Sequence, residues 1–256
     1  MDFVTLLFLF VLGICIGSFL GVVIDRLPRE ESIWRGRSYC EYCKKKLTFI
    51  DLVPLFSFIF SRGKCRYCHK KLSWYYPIIE ATAGILFVFV GFNINIFHPV
   101  EFVYYLFIVS ALISIFFIDL KYGIIPLPIV LSALLAALIF VILNNQSLII
   151  GNFLSAIGAF SFFLALFFIT RRKGIGFGDV IYVFLMGFLL GFPGIILGLY
   201  IAFLSGAIVS LILIAVKKKK FKGSTVPFGP FLVFGTLVGL FFGQSIITMA
   251  LRYLLN

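Results

Sequence analysis

The sequence predicts an all-α polytopic membrane protein of about eight transmembrane helices, with a small cytoplasmic zinc-ribbon-like loop domain between the first and the second. Three observations carry this. Hydrophobic residues make up 62% of the chain and charged ones only 12%, and the mean hydropathy is +1.16, values that soluble domains do not show. Apolar runs long enough for a helix to cross a hydrocarbon core of about 30 Å recur along the chain. The one long polar stretch carries Cys40, Cys43, Cys65 and Cys68 in two close pairs.

The first span, residues 3–24, is free of charge and lacks a preceding basic region, so it reads as a retained helix rather than a secretory signal. A loop domain follows over 26–76, and a bundle over 77–256 completes the organisation. Within the bundle the predicted spans are 77–97, 99–119, 124–143, 148–170, 180–190, 195–216 and 228–251. The sixth span of the chain is weak, because its eleven residues rise only about 16 Å. It must either continue past Pro193 or begin recessed in the membrane.

Sidedness comes from the cations. Twelve lie between Arg26 and Lys71, Lys121 stands alone, three run from Arg171 to Lys173, and five lie between Lys217 and Lys222. Alternate crossings place all four groups on one side, which the positive-inside rule makes cytoplasmic, with the N-terminus outside. The lysine run at Lys217 reads as a stop-transfer and headgroup anchor. A net charge of +12 therefore points to an anionic lipid bilayer and not to nucleic acid.

The cysteines read C-x2-C, a gap of 21 residues, then C-x2-C. Two knuckles at this spacing suit one tetrahedral ion held by four thiolates, which is structural zinc because no coordination position is left for substrate. A reducing cytoplasm disfavours two disulfides, while unliganded or redox cysteines remain the alternative. His69 reads as a solvated neighbour, and Cys15 as a small packing residue. A loop this small gains folding free energy from the metal. Its apolar stretch LTFIDLVPLFSFIF contains Asp51 and Pro54 and is too short to cross, so it packs in the loop or lies on the membrane face.

Three acids, Glu80, Asp119 and Asp179, fall in apolar spans, where a carboxylate costs about 2.5–3.5 kcal/mol at a helix centre. Asp119 closes the third span and Asp179 opens the sixth, both at the cytoplasmic edge. Two carboxylates held close share a proton and divide the roles of general acid and general base around one water. Capping of helix ends in wet headgroups is the simpler alternative for each. Gly174, Gly176 and Gly178 precede Asp179, and a glycine-broken short span marks a site inside a membrane protein. Helix polarity assigns the ionised form to Asp179, at an N-terminus, over Asp119, at a C-terminus.

Taken in order, GSFLGVVIDRLP, the paired knuckles with RGKCRYC, YPIIE, IDLKYGIIP, GFGD and VPFGPFL resemble the bacterial type IV prepilin peptidases, the leader peptidases of the GxGD aspartic class. The resemblance implies cleavage of the basic leader of prepilins or pseudopilins at the cytoplasmic face of the inner membrane, with Asp119 and Asp179 as the catalytic pair and Gly176 and Gly178 as motif glycines. It further implies methylation of the new N-terminus with S-adenosylmethionine, for which Gly63 and Lys64 match a motif, although a turn before a metal ligand explains them equally well. Glu80 matches a family glutamate that would attract the leader's cations or orient the substrate amine, with pairing to a lysine or arginine as the alternative. The chain departs from the family pattern at Gly21, Leu127 and Ile181. An ion-coupled transporter, or a non-catalytic assembly factor of a pilus or secretion machine, is the rival reading. The cationic loop is expected to cap the active site as a substrate-facing surface.

Overall fold

A computed structural model of the chain describes residues 2–144, 146–171, 174–216 and 226–255. These form α1 (Phe3–Arg26), α2 (Phe56–Phe60), α3 (Tyr75–Asn93), α4 (Pro99–Tyr122), α5 (Leu127–Asn144), α6 (Ile149–Ile169), α7 (Phe177–Ala215) and α8 (Gly229–Leu255). All but α2 are long and apolar enough to cross a membrane, so the chain is a multi-pass membrane protein. Prolines fall where helices tolerate them: Pro77, Pro99, Pro128 and Pro230 all lie in first turns, which need no intrahelical N–H. The lysine run from Lys217, with Arg172 and Lys173, lies outside the described residues.

The chain divides into two compact units, Met1–Phe117 and Ile118–Asn256. In the first, α1 packs antiparallel on α3. Gly13, Gly17 and Gly21 recur every fourth residue on one face of α1. A Cβ at Gly13 would meet Ala83 and Gly84 at 2.7 Å, one at Gly17 would meet Glu80 at 2.8 Å, and one at Gly21 would face Tyr76 at 3.6 Å. Small residues at this spacing let two membrane helices touch through their backbones, where van der Waals packing replaces the hydrophobic drive absent in lipid. Cys15 points away from this interface and is exposed, so it is not the packing residue that the sequence suggests.

In the second unit, α7 organises the packing against α5, α6 and α8. Its 39 residues would measure about 58 Å if straight. Helical geometry breaks at Gly191 and Phe192, with Gly191 at φ +59°, ψ −177°, a conformation open to glycine. Beyond the break the chain doubles back, because a Cβ at Gly198 would meet the Met186 side chain at 2.6 Å, and a continuous helix would hold those residues about 18 Å apart. The arms 177–190 and 193–215 thus correspond to the sixth and seventh predicted spans. The weak sixth span gains three residues at its start, from Phe177. Both arms contact α8: the second through backbone contact of Gly198 with Gly235, the first through Leu190 against Gly239 and a buried hydrogen bond of 2.8 Å between Tyr182 and Thr236.

Candidate active site and metal centre

The loop of the first unit builds two matching knuckles. In each, the first cysteine N–H donates to the carbonyl five residues on, Cys40 to Lys45 and Cys65 to Lys70, and its carbonyl accepts from the fourth residue, Lys44 or His69. Lys44 and His69 both take positive φ, +57° and +55°, to close these turns. Isolated bridges, Tyr39 with Lys46 and Lys64 with Lys71, complete the pair. His69 is therefore a turn residue beside the cysteines and not one of the clustered ligands.

The four sulfurs lie within 4.8 Å of one another, and Cys40 and Cys68 approach to 3.9 Å. Thiolates around a tetrahedral ion at 2.3 Å would stand about 3.8 Å apart, so the cluster fits a metal such as zinc. Burial opposes ionisation of Cys65, but the N–H groups of Cys68 and Tyr67 directed at its sulfur and hydrogen bonds with the Cys40 and Cys68 thiols together outweigh it and bring the thiol down to about 7.

Gly63, at φ +67°, and Lys64 form the turn into the second knuckle. A Cβ at Gly63 would press on the Phe58 ring at 3.1 Å. Asp51, in the apolar stretch of the loop, accepts from the Thr48 N–H at 3.0 Å, the Thr48 hydroxyl at 2.7 Å and the Tyr67 hydroxyl at 3.1 Å. Slight burial works against the anion, yet these donors and the nearby Arg66 charge hold its carboxyl below the usual 3.8.

Glu80 is buried in α3. Its Oε2 accepts from the Leu55 N–H at 2.8 Å, and the Ser18 hydroxyl of α1 donates to it as well. Neither of these two partners is a lysine or arginine.

In the second unit, three helix ends meet around Asp119 and Asp179: the C-terminus of α4 and the N-termini of α7 and α8. Both carboxylates are buried. Asp179, in the first turn of α7, accepts from the N–H of its N-cap residue Gly176 at 3.1 Å, while its own N–H donates to the Gly176 carbonyl at 3.1 Å. Asp119 accepts from the Gly229 N–H, at the head of α8, at 2.9 Å. The two acids lie within electrostatic reach of one another.

Each motif glycine has a steric reason. A Cβ at Gly176 would lie 3.3 Å from the Asp179 carboxylate, and one at Gly178 would lie 3.0 Å from Ile125, in the turn after α4. That turn thereby lies directly on the first turn of α7, which is how the chain brings Asp119 to Asp179. Sequence reasoning missed Gly229, where a Cβ would fall 2.5 Å from the Asp119 Oδ2. The Gly-Pro pair marks a helix start, but nothing local names the carboxylate it faces. Since Asp119 also receives an N-terminal N–H, helix polarity does not by itself assign the ionised form within the pair. One turn from Asp119, the buried Tyr122 hydroxyl has no hydrogen-bond partner among the described residues.

Two family models match the chain: the Bacterial Peptidase A24 N-terminal domain over residues 11–94, and the Type IV leader peptidase family over residues 106–211. A prepilin leader peptidase/N-methyltransferase of Myxococcus xanthus is 33% identical over 211 residues, 81% of this chain and 62% of that one. Proteins of the same name from Bacillus subtilis and Legionella pneumophila are 29% and 28% identical, covering 97% and 94% of this chain and 98% and 92% of their own lengths. No solved structure matches. The first model takes in most of α1, the cysteine knuckles and α3, and the second takes in both aspartates, so the matches fall on the two structural centres described here: the chain belongs to the type IV leader peptidase family.

Proposed function

We propose that this chain is an intramembrane aspartic endopeptidase that removes the basic leader of type IV prepilins or pseudopilins, and that it also N-methylates the exposed N-terminus. The convergence of Asp119 and Asp179, each held by a backbone N–H at a helix start, carries this reading. Of the two carboxylates, the one lacking the shared proton takes a proton from water, whose oxygen adds to the scissile carbonyl. The protonated one delivers its proton to the developing oxyanion. Collapse of the tetrahedral species breaks the C–N bond as a carboxyl returns a proton to the leaving amine. Gly176 and Gly229 orient the two acids and touch no substrate atom.

The membrane address fits the substrate class. A prepilin offers cationic leader residues to water and an apolar helix to lipid, so its scissile bond lies at the interface. The positive-inside distribution of lysine and arginine supports a cytoplasmic face for these loops and an inner-membrane location. Glu80, whose neutral partners leave lone pairs open, would take a cation of the leader or the substrate amine. The metal proposed for Cys40, Cys43, Cys65 and Cys68 is zinc, in a structural role. S-adenosylmethionine would donate its methyl to the new amine, with Gly63 and the exposed Lys64 as the candidates to contact it.

The test is cleavage of a purified prepilin in proteoliposomes, followed by mass, with labelled S-adenosylmethionine present. Asp119→Asn and Asp179→Asn each reduce cleavage by at least about 10²-fold, the scale of a lost general acid or base. A synthetic pre-cleaved substrate remains methylated by both variants. Unchanged cleavage in either variant would overturn the assignment.

A further inference from the structure

Exposed apolar side chains in a strongly cationic loop require a cover. Phe49 and Phe60 are 84% and 83% exposed, and Ile50, Phe56 and Ile59 are exposed as well. On α2, Phe56, Ile59 and Phe60 stand at i, i+3 and i+4 and so share the outward face. Phe58 turns the other way, is buried, and meets Trp74 edge-on at 4.7 Å. A contiguous apolar face of this kind marks an interaction surface.

Two contacts set its height relative to the spans of its own unit. Leu55, just before α2, donates its N–H to Glu80. Glu80 is the sixth residue of α3, about 7–8 Å along the axis from its start. Trp34 tilts over the Phe19 ring with centroids 6.1 Å apart. Phe19 lies seven residues before Arg26, the last residue of α1, about 10 Å short of that end. The loop thus folds back beside the terminal turns of α1 and α3 instead of standing off from them. Arg26 makes the turn: its guanidinium donates to the carbonyls of Ser32 and Arg35, both at 3.0 Å, with longer bonds to Gly36 and Arg37.

Terminal turns of membrane-spanning helices are where a chain leaves the hydrocarbon for the headgroups. We propose that residues 49–60, together with Trp34, form an interfacial wedge seated in the boundary between acyl chains and headgroups, with the exposed lysines of the knuckles, Lys44, Lys45, Lys70 and Lys71, on anionic headgroups. Large aromatics with a cationic rim are the composition that this zone favours. Glu80 and Phe19 act as depth stops, which hold the wedge at a fixed level.

Fluorescence quenching of the full-length protein in phosphatidylglycerol/phosphatidylcholine vesicles tests this. Phe60→Trp is placed in a Trp34→Phe, Trp74→Phe background, and Tyr42→Trp, in the first knuckle, serves as the reference in the same background. Lipid brominated near the headgroup end of its acyl chains should quench the Phe60→Trp indole at least about threefold more than the reference, as a 5–10 Å insertion depth requires. Aqueous iodide should do the reverse. The native Trp34, read alone in Trp74→Phe, reports the same depth should Phe60→Trp fail to fold. Indoles at both positions quenched by iodide and not by bromolipid would overturn the proposal. Shielding from both quenchers would also overturn it and would point to a protein partner.

Discussion

At the scale of single residues the site depends on what is missing. Gly229 has no side chain, and the Asp119 carboxylate occupies the space where its Cβ would be. Gly229→Ala must displace Asp119 or the head of α8, and a displacement of about 1 Å costs on the order of 10²-fold in rate. The loss should appear in kcat with KM little changed and the thermal midpoint in detergent preserved. Asp51 offers a pH test in the loop. Its folded-state value lies below 3.8, so its stabilising contribution is fully present above 3.8 and is lost as pH falls through the lower folded value. Asp51→Asn should therefore lower the loop's melting midpoint, followed by tryptophan fluorescence, by an equal amount from neutral pH down to about 4. A gap that widened towards low pH would contradict the sign. The aspartates were legible in the sequence because a carboxylate in an apolar run is conspicuous. Gly229 was not, because its partner lies 110 residues away and helix-start chemistry does not say which group it faces.

Among the elements, the helices themselves were legible from apolar run length, with ends shifted by only a few residues. The reversal of α7 was visible as the interruption at Gly191 and Pro193, although its sense, a hairpin with both arms on α8, follows from contacts alone. The glycine stripe of α1 was plainly present at a spacing of four, yet its partner face on α3 could not be read, since Ala83 and Gly84 carry no signal of their own. Gly17→Leu should force α1 from α3, at an overpacking cost of about 1–3 kcal/mol. Thermal unfolding in detergent measures it. Cys15→Leu, at an exposed position of the same helix outside the stripe, should be close to neutral.

For the whole molecule, the four-cysteine cluster and the carboxylate pair lie in different compact units. Stripping the metal with a chelator, or replacing Cys40 and Cys43 with serine, should expose residues 35–71 to limited proteolysis, because metal binding supplies folding free energy there. The Tyr182–Thr236 pairing of α7 and α8 should persist, as read by hydrogen exchange. Simultaneous collapse of both units would show that they fold as one. No run of residues announces this division: the boundary falls at Phe117, inside the continuous apolar helix α4.

The bond between Gly229 and Asp119 also orders events during synthesis. Asp119 enters the bilayer with the third crossing, and its donor exists only after 110 further residues have been made. Until α8 inserts, the carboxylate lacks its backbone partner and the pair lacks its geometry. On the proposed catalytic role of the pair, a nascent chain that already holds both aspartates is still inactive, and proteolytic competence arrives with α8.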